Sequence, residues 1–574
     1  MKKWLAVLSL LWNVMAALDI LPLSEIRPGM KGTGYSVFFG WDPVPFEVEV
    51  IDVMQGTTPE ETRILARLSG QKLEQSGVVA GMSGSPVYID GKLIGAVAYA
   101  WSFSKEAICG ITPIQAMIEK TSENLPASPK PSFPGKRRNI LFPSSIYLWS
   151  ESRGAIEMFS NRVPFPMQIF PLQGGGNAKK DAPTQIRPGD AIAIHLVDGD
   201  VRIQAIGTVT AVSQDRVWMF GHPLFQAGAW EAPFSRAYIY TVMPAYTVSF
   251  KLGTSGEEVG SVVYDGAFAV EGKIGKKANM IEVVTTLIEF PKTNIYRYRV
   301  VRSPLYQSYF LLSGLFAILQ NSLGGEERHV FDVSARVDVL YKGKTNTVLS
   351  QFAFFWERDA ETFSRFVGDL WDFFQNVGNW RGETVRMERV EIAINKISPS
   401  RVGFVERVWV DRSTYQIGET ITVSLQMRDD FSRVYRQTIR VPIPLYLSSG
   451  KYSLLIGDAQ GVSRYIENES KVFSDILSYE ELLRYYKAKE RFSPNPSELW
   501  CGLLLPSSSF RTERGELPAF PKRYWEWVET GPNVGRESRR FSFLPVRVDI
   551  PFLLFYDVTV LSVTIQTNNT RSAP

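Results

Sequence analysis

The feature that most constrains this chain is a series of short apolar runs between Gly32 and Ala100. Tyr35–Phe39, Phe46–Val53, Ile64–Leu68, Val87–Ile89 and Leu93–Tyr99 are separated by Gly, Pro and Asp-Gly turn signals. Runs of this length are strands, because an ordinary helix needs ten or more residues of periodic pattern. Asp90-Gly91 between two such runs marks a hairpin, since the type I′ two-residue turn needs positive φ at both central positions and Asp-Gly tolerates it. A chain that begins this way builds a small β-barrel.

Strand patterning returns from about Ala191 to Val284 with Gly-rich turns and implies a second barrel. Leu305, Tyr309, Leu312, Phe316 and Leu319 keep helical spacing after Ser303 as cap and Pro304 at the first turn, so a packed helix closes that unit. Phe363, Phe366, Val367, Leu370, Phe373, Phe374 and Val377 form one apolar helical face. After the turn at Ile417-Gly418, Ile421, Val423, Leu425 and Met427 alternate with Thr420, Thr422, Ser424 and Gln426, as in a half-buried sandwich strand. Ser478 and Glu481 make a capping box for a short helix through Arg491, followed by a strand-rich tail. The segment Leu125 to Asn139 is rich in Pro, Ser and Lys and reads as a linker.

The expected fold is therefore mainly β: two β-barrels, then an antiparallel β-sandwich region and a mixed α/β tail. The boundaries expected are 1–17 for a signal peptide, 20–120 for the first barrel, and 121–185 for a linker and connector. The second barrel with its closing helix takes 186–325, strands plus an amphipathic helix 326–380, the sandwich 381–460, and the mixed region 461–574.

Composition narrows the chemistry. With 63 basic and 59 acidic side chains among 574 residues there is no dominant charge, so nucleic acid is not an expected partner. Two cysteines, Cys109 and Cys501, exclude thiolate zinc and iron–sulfur sites and allow one bridge at most. No Walker, HExxH or EF-hand pattern is present, and no cofactor or metal is expected. Any imidazole chemistry must use His195, His222 or His329. At the start, Lys2 and Lys3 precede the apolar run Trp4 to Leu18, with Ala16 and Ala17 at its end. This is the layout of a cleaved secretory signal, implying a secreted or periplasmic protein with no membrane span in the mature chain.

The segment Gly81-Met82-Ser83-Gly84-Ser85-Pro86 is the strongest chemical signal. Glycines around a serine permit a tight turn in which the hydroxyl is exposed and backbone N–H groups converge. In a serine peptidase Ser83 is then the nucleophile, and the N–H groups of Gly81 and Ser83 form an oxyanion hole. A Gly/Ser-rich turn leading into the hairpin has the same composition. Among the histidines, His195 lies in an alternating strand and His329 in the charged turn Glu326–His329. His222, between Gly221 and Pro223 at the end of the apolar run Val217–Phe220, is the candidate general base.

Together with GMxGxG (Gly29 to Gly34), DGKLIGAVAYAW (Asp90 to Trp101) and GITPI (Gly110 to Ile114), the serine segment resembles the SpoIVB-type serine peptidases of the chymotrypsin-like clan. The resemblance continues through GTVTAV (Gly207 to Val212), FGHP (Phe220 to Pro223), SFKLG (Ser249 to Gly253) and GKIG (Gly272 to Gly275). It implies two small β-barrels with the active site between them, Ser83 as nucleophile and His222 as base. Here the serine block precedes the histidine block, the reverse of the order in the sporulation peptidases. The acid that those members carry upstream of the serine has no counterpart in Leu68-Ser69-Gly70-Gln71. Asp265, ending a strand of the histidine-bearing barrel, is a candidate third member, and a turn aspartate in Asp-Gly is the alternative. Two functions fit: an exported serine endopeptidase acting on polypeptides, or a non-catalytic envelope protein whose peptidase-like fold and sandwich bind a protein partner.

Overall fold

The computed structural model describes residues 18–566 apart from 120–145, 151–166, 172–182, 519–535 and shorter gaps. The expected signal peptide and the Leu125–Asn139 linker lie outside the described residues. The chain is mainly β, with one closed barrel and large, chiefly antiparallel sheets.

The first barrel closes in the order β1-β2-β3-β6-β5-β4. Its strands are β1 (Lys31–Ser36), β2 (Val44–Met54), β3 (Arg63–Ser69), β4 (Pro86–Ile89), β5 (Lys92–Ala100) and β6 (Ile108–Pro113). Alternation along β2 buries Phe46, Val48 and Val50 while Glu47 and Glu49 stay exposed, the period of two that fills a small barrel. Gly34 is required opposite Phe46, because a Cβ there would lie 2.2 Å from the ring. The β4–β5 hairpin turns as expected, with Asp90 at φ 49° and Gly91 at φ 78°.

Strands β7 (Ile146–Ser150) and β8 (Met167–Pro171) pair in parallel, and β7 joins the next unit through β10. That unit contains β9 (Ala191–Gly199), β10 (Ile203–Ser213), β11 (Arg216–Met219), β12 (Gly228–Met243), β13 (Phe250–Asp265) and β14 (Val270–Ile274). They pair in the order β9-β12-β13-β14-β11-β10, and the β9–β10 pairing closes the ring within a 13-stranded sheet. The second barrel is thus embedded in a larger sheet: Lys292–Val301 pairs with β9, Met280–Glu289 follows it, and Val385–Ile397, Arg328–Tyr341 and Lys344–Glu357 continue it.

This extension alters the expected boundary at residues 325/326. One continuous core runs from Ile192 through the helix Gln307–Ser322 to Val333, Phe374 and Ile394, so the apolar faces of the ring, the later strands and the helix Ala360–Gly378 are buried together. The expected sandwich at 381–460 is likewise differently bounded. Val385–Ile397 belongs to the large sheet, and the three-stranded sheet of Gly403–Val410, Thr420–Asp429 and Val434–Pro442 packs on strands drawn largely from the C-terminal region. Ile421, Val423 and Leu425 bury against Leu454, Leu499, Cys501 and Val563, so the sandwich extends through Val558–Gln566. A half-buried three-stranded sheet has one apolar face to cover, and its own segment supplies too few strands to do so.

The two barrels are joined by main-chain hydrogen bonds. Gly40 and Ile239 exchange N–H···O bonds of 2.7 and 3.0 Å, and Ala80 N donates to Ser249 O at 2.7 Å. Arg236 of β12, only 2% exposed, pairs with the fully buried Asp190 at 2.8 Å and also bonds the Trp41 carbonyl of the first barrel. Neither Cys109 nor Cys501 is in a disulfide; both are buried, in different cores. Among the described residues no helix is long and apolar enough to cross a membrane.

Candidate active site

The serine loop lies where the first barrel meets the second. Gly81 and Gly84 adopt φ of 99° and 98°, a region that favours glycine, and Met82 between them is fully buried. Ser83 is half-buried. Gly84 is also forced by contact: a Cβ there would stand 1.9 Å from Thr208 O and 2.6 Å from Phe220 N. The loop is keyed to β10 by hydrogen bonds from Thr208 N to Ser83 O at 2.8 Å and from Thr210 Oγ1 to Gly84 O at 2.8 Å.

Within Ala80–Ser85 the N–H groups divide into two sets. Those of Ala80, Met82, Gly84 and Ser85 donate to Ser249, Val79, Val97 and Met82 carbonyls, respectively. Those of Gly81 and Ser83 meet no acceptor among the described residues. Buried backbone donors are nearly always paired, so two alternate unpaired donors beside one serine form a site able to bind an anion.

His222 follows β11 on the other side of the same junction. Its preceding residue, Gly221, fits against Ala96 and Ala98 of β5, and Thr112 Oγ1 donates to Gly221 O at 2.7 Å. Gly84, adjacent to Ser83, touches the backbone of Phe220, two residues before His222. The sequence-distant serine and histidine blocks therefore share one interface. His222 Nδ1 lies 2.7 Å from Pro223 O. A carbonyl oxygen only accepts, so in the neutral ring Nδ1 carries the proton and Nε2 keeps its lone pair. Burial holds the imidazole pKa below its ordinary value, opposed by the Pro223 hydrogen bond, and favours the neutral form.

Asp265, fully buried at the end of β13, is not in an isolated turn. Its carboxylate accepts from Leu224 N at 2.8 Å, Phe225 N at 2.7 Å and Ala227 N at 3.2 Å. Its described bonds are thus to the loop after His222. Burial raises its pKa to about 6 against the opposing pull of these N–H donors.

The other histidines lie in strands, away from the serine loop's described hydrogen bonds. His195 Nε2 pairs with Ser235 Oγ at 2.8 Å and Nδ1 with Asp198 at 3.2 Å, as its place in a strand suggested. His329 is not in a turn; it is buried in Arg328–Tyr341 and stacks on Phe331. Ser85 is buried, its Oγ donating to Met82 O at 2.7 Å. Ser36, Thr208 and Lys251 are buried directly beneath the loop; sequence reasoning placed Thr208 and Lys251 within the GTVTAV and SFKLG motifs without giving either a role, and did not name Ser36. Besides that motif, the sequence signal for Lys251 was a lysine between apolar residues, Phe250-Lys251-Leu252. Among the described residues no cluster of His, Cys, Asp and Glu is arranged to hold a metal ion.

This serine loop lies in the stretch that decides the family comparison. Residues 19–118 match the SpoIVB peptidase S55 family model. The match spans the first barrel, including Gly81–Pro86, and stops before the histidine-bearing ring. No curated protein and no solved structure matches the chain. The SpoIVB-like segment therefore carries the candidate nucleophile, while the candidate base comes from the adjoining ring.

Proposed function

We propose that the protein is an exported serine endopeptidase of SpoIVB type, with Ser83 as nucleophile and His222 as general base. The observation that carries this reading is the commitment of His222 Nδ1 to the Pro223 carbonyl at the junction that also holds the serine loop. It leaves Nε2 as the basic nitrogen, the tautomer that serine peptidase chemistry requires. His222 Nε2 takes the Ser83 Oγ proton as Oγ attacks the scissile carbonyl, and the N–H groups of Gly81 and Ser83 stabilise the resulting oxyanion. The C–N bond then breaks, with the proton passing from His222 to the leaving amine. Water, activated in turn by His222, hydrolyses the acyl-serine.

Asp265 enters this reading through a peptide unit. In a trans peptide the C=O and N–H point in opposite directions. Asp265 Oδ1 draws the Leu224 N–H one way, which aims the Pro223 C=O of the same unit the other way, toward His222 Nδ1. The carboxylate thereby orients the base indirectly.

Reaction with a fluorophosphonate tests the proposal, because only a serine activated by a base reacts readily. Adduct on Ser83, abolished in Ser83→Ala, is the expected result. A folded protein that does not react favours the second function, a binding scaffold. Export is tested by N-terminal sequencing of protein from its native cell, which should begin near Ala17 or Leu18.

A further inference from the structure

Lys251 is a fully buried lysine at the start of β13, against the underside of the serine loop. Its stem packs on Gly81, where a Cβ would come within 2.9 Å of Lys251 Cδ. Its Nζ donates to Ser36 Oγ at 2.9 Å and to Thr208 Oγ1 at 3.4 Å. Both hydroxyls connect it to the loop. Thr208 Oγ1 donates to Gly81 O at 2.9 Å, and Ser36 Oγ pairs at 3.0 Å with Ser85 Oγ, whose one proton goes to Met82 O at 2.7 Å. The Lys251 main chain takes part as well, its N–H donating to Ala80 O at 3.0 Å.

Three successive carbonyls are thus held inward: Ala80 O by the Lys251 main-chain N–H, Gly81 O by Thr208 Oγ1, and Met82 O by Ser85 Oγ together with the Ser85 N–H. Peptide geometry gives the consequence. With the Ala80 C=O turned inward, the Gly81 N–H of the same unit turns outward, and with the Met82 C=O inward, the Ser83 N–H turns outward. These are the two N–H groups of the loop that meet no acceptor among the described residues. An ammonium below the loop also favours carbonyl ends facing it and stabilises negative charge developing above.

We propose that Lys251 is the positioning residue of the oxyanion hole, holding the Gly81 and Ser83 N–H groups outward through Ala80, Thr208, Ser36 and Ser85. This role rests on the serine peptidase reading and adds to it a residue outside the matched family segment. Burial lowers the Lys251 pKa to about 7, so near neutrality the ammonium and the neutral amine are both populated, and either form keeps N–H donors for Ser36 and Thr208.

The test uses the full chain and a fluorophosphonate whose phosphoryl oxygen occupies the oxyanion position, with kinact and KI measured separately. Lys251→Met preserves the stem and the main-chain bond to Ala80 O and removes the Nζ donors to Ser36 and Thr208. It should lower kinact at least about tenfold, toward the roughly hundredfold loss of a direct oxyanion donor, with KI changed less than about twofold. Ser36→Ala, which leaves Lys251 in place, should lower kinact by a smaller factor and serves as the deciding variant if Lys251→Met does not fold. A structural role alone would lower the melting temperature and leave kinact of the folded protein unchanged. Wild-type kinact in a folded Lys251→Met, or in Ser36→Ala where the first variant is unfolded, would overturn the assignment while the peptidase reading stands. Failure of the wild type itself to react overturns that reading, and the role of Lys251 with it.

Discussion

Asp265 and His222 are linked through the Pro223–Leu224 peptide: the carboxylate accepts the Leu224 N–H at 2.8 Å, and the carbonyl of the same unit lies 2.7 Å from His222 Nδ1. Asp265 also holds Phe225 and Ala227, so one buried carboxylate sets the course of the whole loop after the candidate base. Asp265→Asn replaces one acceptor oxygen with an NH2 that faces backbone donors. The expected cost is about 1–3 kcal/mol of stability with a marked fall in fluorophosphonate reactivity, read by denaturant unfolding and labelling rate. Unchanged reactivity in a destabilised protein would confine Asp265 to the fold.

The same carboxylate predicts a pH dependence of stability. Its folded pKa of about 6 lies above the ordinary 3.8, so between those values the folded state binds more protons than the unfolded state. The contribution of protonated Asp265 is present below the ordinary value and is lost as pH rises toward 6. Lys251 has the opposite displacement, from 10.5 down to about 7, so the unfolded state holds the extra proton between those values and stability rises with pH across that window. Unfolding measured from pH 7 to 10 should show this rising contribution in the wild type and its absence in Lys251→Met.

Ser83→Ala and His222→Ala should each remove nearly all polypeptide hydrolysis, measured as turnover, and the double variant should lose little more, because members of one catalytic unit are not additive. Full multiplicative losses would indicate that the two residues act separately. Ser85→Ala keeps the nucleophile but breaks the bridge to Met82 O, so its effect should resemble that of Ser36→Ala in the labelling assay.

Gly84→Ala should be among the most damaging single changes in the barrel junction. Its Cβ meets the Thr208 carbonyl and Phe220 backbone, which cannot move without separating the serine loop from the His222 strand end. We expect a loss of at least about 2 kcal/mol together with reactivity. Gly29→Ala is the comparison: φ is also positive, at 81°, but the Cβ meets open space, so the cost should be about 1 kcal/mol and reactivity should persist. Thermal melting of the two variants, beside the labelling rate, checks the difference.

The local pattern of this sequence determined the strands of the first barrel, the Asp90-Gly91 hairpin, the helices near 307 and 360, and the short helix opened by Ser478, whose Oγ accepts from Glu481 N at 3.3 Å. Alternation, turn chemistry and capping are properties of neighbouring residues, so they can be read along the chain. The sequence also marked Ser83, Gly81, His222 and Asp265 by motif and position. Tertiary structure alone decided what surrounds them. Lys251 and Ser36 are 215 residues apart, Thr208 and Gly81 are 127 apart, and no local pattern reports that they share one buried network. The extent of the cores was hidden for the same reason: the ring borrows strands from 280–397, and the sandwich borrows from the C-terminal region. An exposed apolar face needs a cover, but composition does not say which distant segment supplies it; long-range packing makes that choice.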